Sequence, residues 1–437
     1  MNVRGGVLAM AAAMAMTVSS AAANDVVINA GRLIDGVSKT PRVNVSILIH
    51  DGRIASVTDG FATPEGAEVI DLGNATVLPG LIDCHVHITS QFDGGNPIVE
   101  AVTLTRFDDA VRSTAYARNT LLSGFTSVRD VGADADVVIA LKKAIAKGIV
   151  EGPRMWVAGP PLGPTGGHGD AANGLDPELS GATWQNNIVN SPEEARRIVR
   201  ELHRKGADLI KIMPSGGVLS IGDDPHLQLM ADDEIAEVVK TAHGLGMKVA
   251  AHAHGVAAIN AAVCLGVDSI EHGTYGDKDS YKLMKQHGTY LVPTMLIGQV
   301  VYDVAKNHPE QLNPSSAAKA IQTVPRMQQN LHDAYHAGVK IAFGTDQGLA
   351  PHGTNAREFA LMVKAGMTPM DAIIAATGSA ADLIGDTADI GSIRPGRYAD
   401  LIAVDGNPLA DVTLLEHVPF VMKDGVVYKT GGKIVSQ

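Results

Sequence analysis

Apolar and polar positions alternate with period two at both ends of the 437-residue chain. From Asp25 to about Leu78 the alternation runs through Val26-Val27-Ile28-Asn29 and Val45-Ser46-Ile47-Leu48-Ile49. It then meets Asp51-Gly52, a hairpin signal, and resumes as Arg53-Ile54-Ala55-Ser56-Val57. The other end has the same character: Asp400-Leu401-Ile402-Ala403-Val404, then Val418 to Met422, Asp424-Gly425 and Val426-Val427-Tyr428. Between the ends, short apolar runs alternate with helical patterns, as parallel βα units require. The predicted strands are Thr76 to Ile88, Phe125 to Val131, Arg154 to Gly159, Leu209 to Pro214, Lys248 to His254, Val267 to His272, Tyr290 to Thr294 and Val339 to Thr345. Helices are predicted over Ser191 to Lys205 and Asp232 to Leu245. The first opens with Ser191-Pro192-Glu193-Glu194, an N-cap followed by proline at the first helical position. The alternation fits a closed barrel or a doubly wound open sheet, and periodicity does not choose between them.

Residues 1–23 read as a signal peptide. Arg4 supplies a positive start, Val7 to Val18 is apolar, and Ala21-Ala22-Ala23 is a cleavage pattern. The apolar run is shorter than the ~20 residues that span a bilayer. A periplasmic or secreted protein, off the membrane once cut, is expected. Lys+Arg 35 against Asp+Glu 47 gives a net charge of −12, which argues against a nucleic-acid partner. The two cysteines, Cys84 and Cys264, make no disulfide framework and are expected as buried free thiols.

The candidate chemistry sits at the strand ends. His85 and His87 follow Leu81-Ile82 at i, i+2, which puts both imidazoles on one face of a strand. Lys211 ends Asp208-Leu209-Ile210, and His252 ends Val249-Ala250-Ala251. His272 ends Ser269-Ile270-Glu271, and Asp346 follows Ile341 to Thr345. The C-terminal strand ends are where a TIM barrel keeps its active site, and several imidazoles with a carboxylate suit zinc or a similar divalent ion. His254 is a rival to His252. Gly166-Gly167-His168-Gly169 lies in a glycine-rich loop, Pro160 to Asp170, which offers His168 to a substrate. His352 and Tyr275, shortly after the last two ligand positions, are further candidates for substrate contact. Asp130 reads as structural.

Val77-Leu78-Pro79-Gly80-Leu81-Ile82-Asp83-Cys84-His85-Val86-His87, Lys211, His252-Ala253-His254-Gly255, Ile270-Glu271-His272-Gly273 and Gly344-Thr345-Asp346 together resemble the amidohydrolase superfamily. The likeness is to its binuclear branch, near imidazolonepropionase-like proteins, prolidase-like Xaa-Pro and Xaa-Arg dipeptidases and ochratoxin-hydrolysing amidases. Gly391 to Gly396 with Ala399-Asp400-Leu401 resembles the return to the small domain. The resemblance implies an α/β chain: a (β/α)8 TIM barrel over 79–387 and a small β-sandwich from 24–78 plus 388–437. It implies that His85, His87 and Asp346 hold one metal ion, His252 and His272 a second, and carboxylated Lys211 bridges them. Zinc is the expected metal. It further implies a homo-oligomer, an octamer in the resembled enzymes. Asp346 becomes the proton carrier and His254 a catalytic group that touches the substrate. The expected reaction is hydrolysis of an amide in N-acyl amino acids or dipeptide-like small molecules with a free carboxylate, ochratoxin A within range. A cyclic-amide hydrolase or deaminase is the alternative, although mononuclear deaminases usually lack the bridging lysine. A non-catalytic scaffold is a second alternative, and the filled ligand positions count against it.

Overall fold

A computed structural model describes residues 25–92, 103–174, 176 and 187–435. The expected signal peptide, 1–23, lies outside the described residues. The chain opens with β1 (Val26–Leu33), β2 (Arg42–His50), β3 (Arg53–Asp59) and β4 (Glu68–Pro79). Parallel βα units follow: β5 (Leu81–Val86), α1 (Arg106–Leu122), β6 (Phe125–Asp130), α2 (Ala135–Ala146), β7 (Arg154–Val157), α3 (Pro192–Lys205) and β8 (Leu209–Ile212). They continue through α4 (Asp232–Gly244), β9 (Lys248–Ala253), α5 (Val256–Cys264), β10 (Ser269–His272), α6 (Lys278–His287) and β11 (Tyr290–Val292). Two long helices, α7 (Met295–Asn307) and α8 (Pro314–His336), precede β12 (Lys340–Ile341). The helices α9 (Arg357–Lys364), α10 (Pro369–Ala375) and α11 (Gly378–Ile384) lead to β13 (Leu401–Asp405), β14 (Phe420–Lys423), β15 (Val426–Thr430) and β16 (Lys433–Ile434).

Every predicted strand of the middle is present, with one division. The run Thr76 to Ile88 splits at Gly80 into β4 and β5, which belong to different sheets. A Cβ at Gly80 would lie 2.0 Å from Thr126 Oγ1, so the chain crosses between layers only where it has no side chain. The parallel strands form two arcs, β5-β6-β7 and β8-β9-β10-β11-β12. Backbone hydrogen bonds join the arcs at both seams. Cys84 N donates to Phe343 O (2.9 Å) and His87 N to Gln347 O (2.7 Å); on the other side Asp208 N donates to Val157 O and Leu162 N to Lys211 O, both 2.8 Å. The arrangement is α/β and TIM-barrel-like. β5, β6, β8 and β10 are buried at every residue, which is why they read as continuous apolar runs rather than alternating ones.

The two chain ends meet in one mixed sheet, ordered β16-β15-β14-β13-β4-β1-β2-β3. β13 pairs antiparallel with β4, and β1 pairs parallel with β4. A second apolar core, including Ile28, Ile47, Val77, Leu401 and Phe420, draws on strands from both ends. Asp51-Gly52 and Asp424-Gly425 have positive φ at both positions, the backbone of a tight type I′ hairpin turn. Arg154, at the start of β7, ties this sheet to the barrel through Asp400 (3.0 Å) and Asp424. The helix predicted from Ser191 forms, with Ser191 Oγ accepting from Glu194 N. Both cysteines are free, but the expectation that both are buried is corrected. Cys264 closes α5 on its solvent side and is exposed, whereas Cys84 is buried in β5.

Candidate active site

The strand ends bring His85, His87, His168, Lys211, His252, His254, His272 and Asp346 around one cavity of about 280 Å³. His85 Nε2 lies 3.4 Å and His87 Nε2 3.0 Å from Asp346 Oδ1. These three side chains can offer ligand atoms within 4.8 Å of one another, the spacing of a metal site. The ring of His272 lies 5.2 Å from that of His85 and 4.7 Å from that of His252. His272 and Asp346 adopt left-handed backbone, as does Thr294, the hydrogen-bond partner of His272. Such conformations cost about 1–3 kcal/mol each for residues with a side chain, and they cluster where function dictates geometry.

Proton accounting gives the state of each imidazole. His85 Nδ1 faces the Glu271 carboxylate at 2.8 Å, and His87 Nδ1 faces Gly132 O at 2.7 Å. Carboxylates and carbonyls accept only, so both Nδ1 atoms donate; each Nε2 faces Asp346 Oδ1, also only an acceptor, and becomes a ligand atom for a cation only on giving up the proton it shares with that carboxylate. His252 Nε2 faces Gly216 O at 3.3 Å, which leaves its lone pair on Nδ1. His272 Nδ1 lies 2.6 Å from Thr294 Oγ1, whose own proton goes to Pro293 O, so His272 donates and Nε2 keeps the lone pair. His252 and His272 therefore present lone pairs, as ligands to a cation must, and a cation that takes up Asp346 would free those of His85 and His87. His254 differs. Its Nδ1 lies 2.7 Å from Thr274 Oγ1, whose proton has no other acceptor among the described residues, so Thr274 is able to donate and leave the ring proton on Nε2. The chemistry of this donor set fits a metal centre.

Burial dominates the electrostatics. It holds His252 and His272 well below the usual imidazole range and His254 down at about 3, so all three are neutral. Lys211, only 2% exposed, is lowered by burial to about 8. Burial would raise Asp346, but His85 and His87 hold it well below the usual carboxylate range. Burial would also raise Glu271; Arg129, then His85, overcome this and hold its carboxylate ionised. Arg129 Nη2 meets Glu271 Oε1 at 2.8 Å, and both side chains are buried. Asp130 accepts from Ile88 N (2.7 Å) and Gly132 N (3.1 Å), a structural role that keeps the chain beyond β5 in place.

Two expected substrate contacts fall outside the cavity lining. Tyr275 stacks on His226 at 4.1 Å and bonds Thr323 through its hydroxyl at 3.2 Å. His352 is buried, stacked on Tyr116 at 5.1 Å, with Nε2 2.8 Å from Ser90 O. Both rings are packed against neighbouring protein groups. Sequence reasoning missed the Arg129–Glu271 pair and the apolar wall formed by Leu219, Ile297, Val301, Val324, Met327 and Leu349. The even spacing of Ser127 and Arg129 along β6 was the one signal that Arg129 points inward.

With this geometry in hand, known proteins supply the class. The chain belongs to the amidohydrolase family, which matches residues 76–434. It is 33% identical over 428 residues to ochratoxinase of Aspergillus niger, covering 93% of this chain and 87% of that protein. The solved A. niger ochratoxinase superposes with a TM-score of 0.80 at 32% identity, over 94% of this chain and 96% of that one. A Xaa-Pro dipeptidase with methionine bound in its active site gives a TM-score of 0.89 at 40% identity, over 93% and 100%. A prolidase complexed with N-methylphosphonate-L-proline gives 0.85 at 34% identity, again over 93% and 100%. Family and neighbours make this protein a hydrolase of amide bonds.

Proposed function

We propose that this protein is a binuclear amidase that cleaves N-acyl amino acids or dipeptide-like substrates with a free carboxylate, ochratoxin A among the candidates. The observation that carries the reading is the gathering of His85, His87, His252 and His272 with Asp346 and Lys211 around one cavity. In this reading the parallel strands close as a (β/α)8 barrel over 79–387, and 24–78 plus 388–437 form a β-sandwich. His85, His87 and Asp346 hold one divalent ion, and His252 and His272 a second, zinc in both by preference. When bound, such ions acidify a water and polarise the scissile carbonyl.

The chain's own groups complete the reaction. Lys211, with its ammonium weakened by burial, has a neutral fraction near pH 8 that attacks CO₂. The new N–C bond gives a carbamate and releases one proton, placing a carboxylate on a long arm between the two ligand sets. Asp346 accepts the proton of the attacking water and passes it to the leaving nitrogen, which departs as a neutral amine. His254 donates from Nε2 to an oxygen of the substrate, Thr274 holding its other nitrogen. His168 contacts the substrate from the loop after β7. The mature chain acts in the periplasm or outside the cell and assembles as a homo-oligomer, an octamer by resemblance.

The test is product formation by zinc-loaded protein with bicarbonate, against ochratoxin A and a panel of Xaa-Phe, Xaa-Pro and Xaa-Arg substrates. EDTA-sensitive cleavage is expected. A protein that holds two metals and cleaves none of these would redirect the reading to cyclic amides.

A further inference from the structure

The helix that walls the cavity also grips the loop between β8 and α4. From α8, Lys319 Nζ reaches Gly217 O and Ser220 O, each at 2.7 Å, and Asp223 Oδ1 at 3.1 Å. Ser316 Oγ, one turn earlier, donates to Leu219 O at 3.0 Å. The Lys319–Asp223 pair is largely withdrawn from solvent, with side-chain exposures of 14% and 1%. An ion pair in that setting costs desolvation, which is recovered here through several short hydrogen bonds aimed at one loop.

The loop hands this constraint to the cavity. Ser220 Oγ lies 2.6 Å from both oxygens of Asp223, so its single proton is committed to that carboxylate. His168 Nδ1 lies 2.8 Å from the same Oγ and must therefore donate to it. Nε2 of His168 is left with a lone pair. The same loop also carries Gly216, whose carbonyl orients His252.

We propose that Lys319, Asp223 and Ser220 form a positioning relay that fixes the loop 216–223 and locks His168 as a hydrogen-bond acceptor toward the substrate. The proposal rests on the reading of His168 as a substrate-contacting group. It deepens that reading: the group His168 meets is a donor, an N–H or ammonium, not a carboxylate or a carbonyl oxygen.

Metal-loaded full-length variants test the relay on the best substrate of the panel. Ser220→Ala is expected to raise KM about tenfold with kcat nearly unchanged, because only the hydroxyl link to His168 is lost. Lys319→Met is expected to lower kcat/KM further, and Lys319→Arg to recover most of the loss by keeping the charge and several donors. Adding Asp223→Asn to Lys319→Met should cost little more, as members of one network are not additive. In parallel, ¹⁵N-histidine NMR, with His168→Gln to assign the signal, should show His168 as the pure Nδ1–H tautomer in the parent and a mixture in Ser220→Ala. An unchanged KM together with an unchanged tautomer in Ser220→Ala overturns the relay, even if Lys319→Met fails to fold. A parent protein that turns over no amide while its His168 still shows the locked tautomer would instead overturn the amidase reading and leave the relay standing.

Discussion

The two sides of the histidine cluster are built differently. On the β5 and β12 side, His85, His87 and Asp346 are drawn together by charge, with Glu271 and Arg129 buried behind them. On the β8 to β10 side, Lys211, His252, His254 and His272 make no direct ion pair with a carboxylate among the described residues, although Glu271 and Asp346 act on Lys211 through space. Their outer nitrogens rest on hydroxyls and a carbonyl, and burial keeps the imidazoles neutral. The first side is compact enough to offer a ligand set as it stands. The second is a group of desolvated bases that repel one another once protonated, and only added negative charge or a cation would draw them together. The proposed carboxylation of Lys211 would change this contrast, since a carbamate would put an anion directly on the second side.

The largest effect is expected from Asp346, which both sides need. Asp346→Asn should keep the fold and lose about 10²–10⁴-fold in kcat, the contribution of a general acid–base group. Turnover at the parent rate would break the mechanism. Lys211→Ala should fall by about 10²-fold or more and bind less metal, since it removes a ligand position from the weaker side. Partial rescue by a short carboxylic acid, read as both rate and metal content, would support the carbamate. Restored rate without restored metal would count against it.

Glu271→Gln tests the first side as structure. It leaves Arg129 buried without its carboxylate, and a loss of about 3 kcal/mol in unfolding free energy is expected by denaturant titration. A loss under about 0.5 kcal/mol would mean that the pair is not what braces His85.

The smallest effect is in pH. In metal-free protein, His252, His254 and His272 have folded pKa values below the unfolded ~6.5. The unfolded chain then binds protons that the folded chain refuses, so their contribution is present in full above pH ~6.5 and is lost as pH falls toward about 3. His87, raised by Asp346 despite its burial, acts in the opposite direction: its stabilisation is present below ~6.5 and lost as pH rises through its folded value. Glu271 and Asp346, both lowered, lose their contribution only below the unfolded carboxylate range near pH ~4. His168, at about 4, acts with the three lowered imidazoles, whereas the buried carboxyls of Glu358 (about 8), Asp83 and Asp400 (both about 6) act with His87, so the readable effect is a difference: between pH 7 and 5, His254→Asn should lose less Tm than the parent. The same change of Tm with pH in His254→Asn and the parent would show that the two sides do not differ in this way.

Much of this was legible in the chain. Most of the parallel strands were visible because β5, β6, β8 and β10 are buried on both faces, and most ligand candidates because they end or follow an apolar run. The Asp-Gly turns carried their own backbone requirement. Tyr275 and His352 had the right spacing after a strand, yet their rings pack on His226 and Tyr116, neighbours that spacing does not reveal. Arg129 and Glu271 were hidden because they are 142 residues apart. Lys319 and Asp223 were hidden for the same reason, being 96 residues apart.

The sequence by itself determined which residue types stand at the strand ends, and hence the class of chemistry, because alternation and apolar runs are local properties. Tertiary structure decided which nitrogen of each imidazole is free, which histidines face the cavity, and how the two halves of the cluster are charged. Those depend on partners from distant strands and loops, and on the removal of water that only the closed core accomplishes.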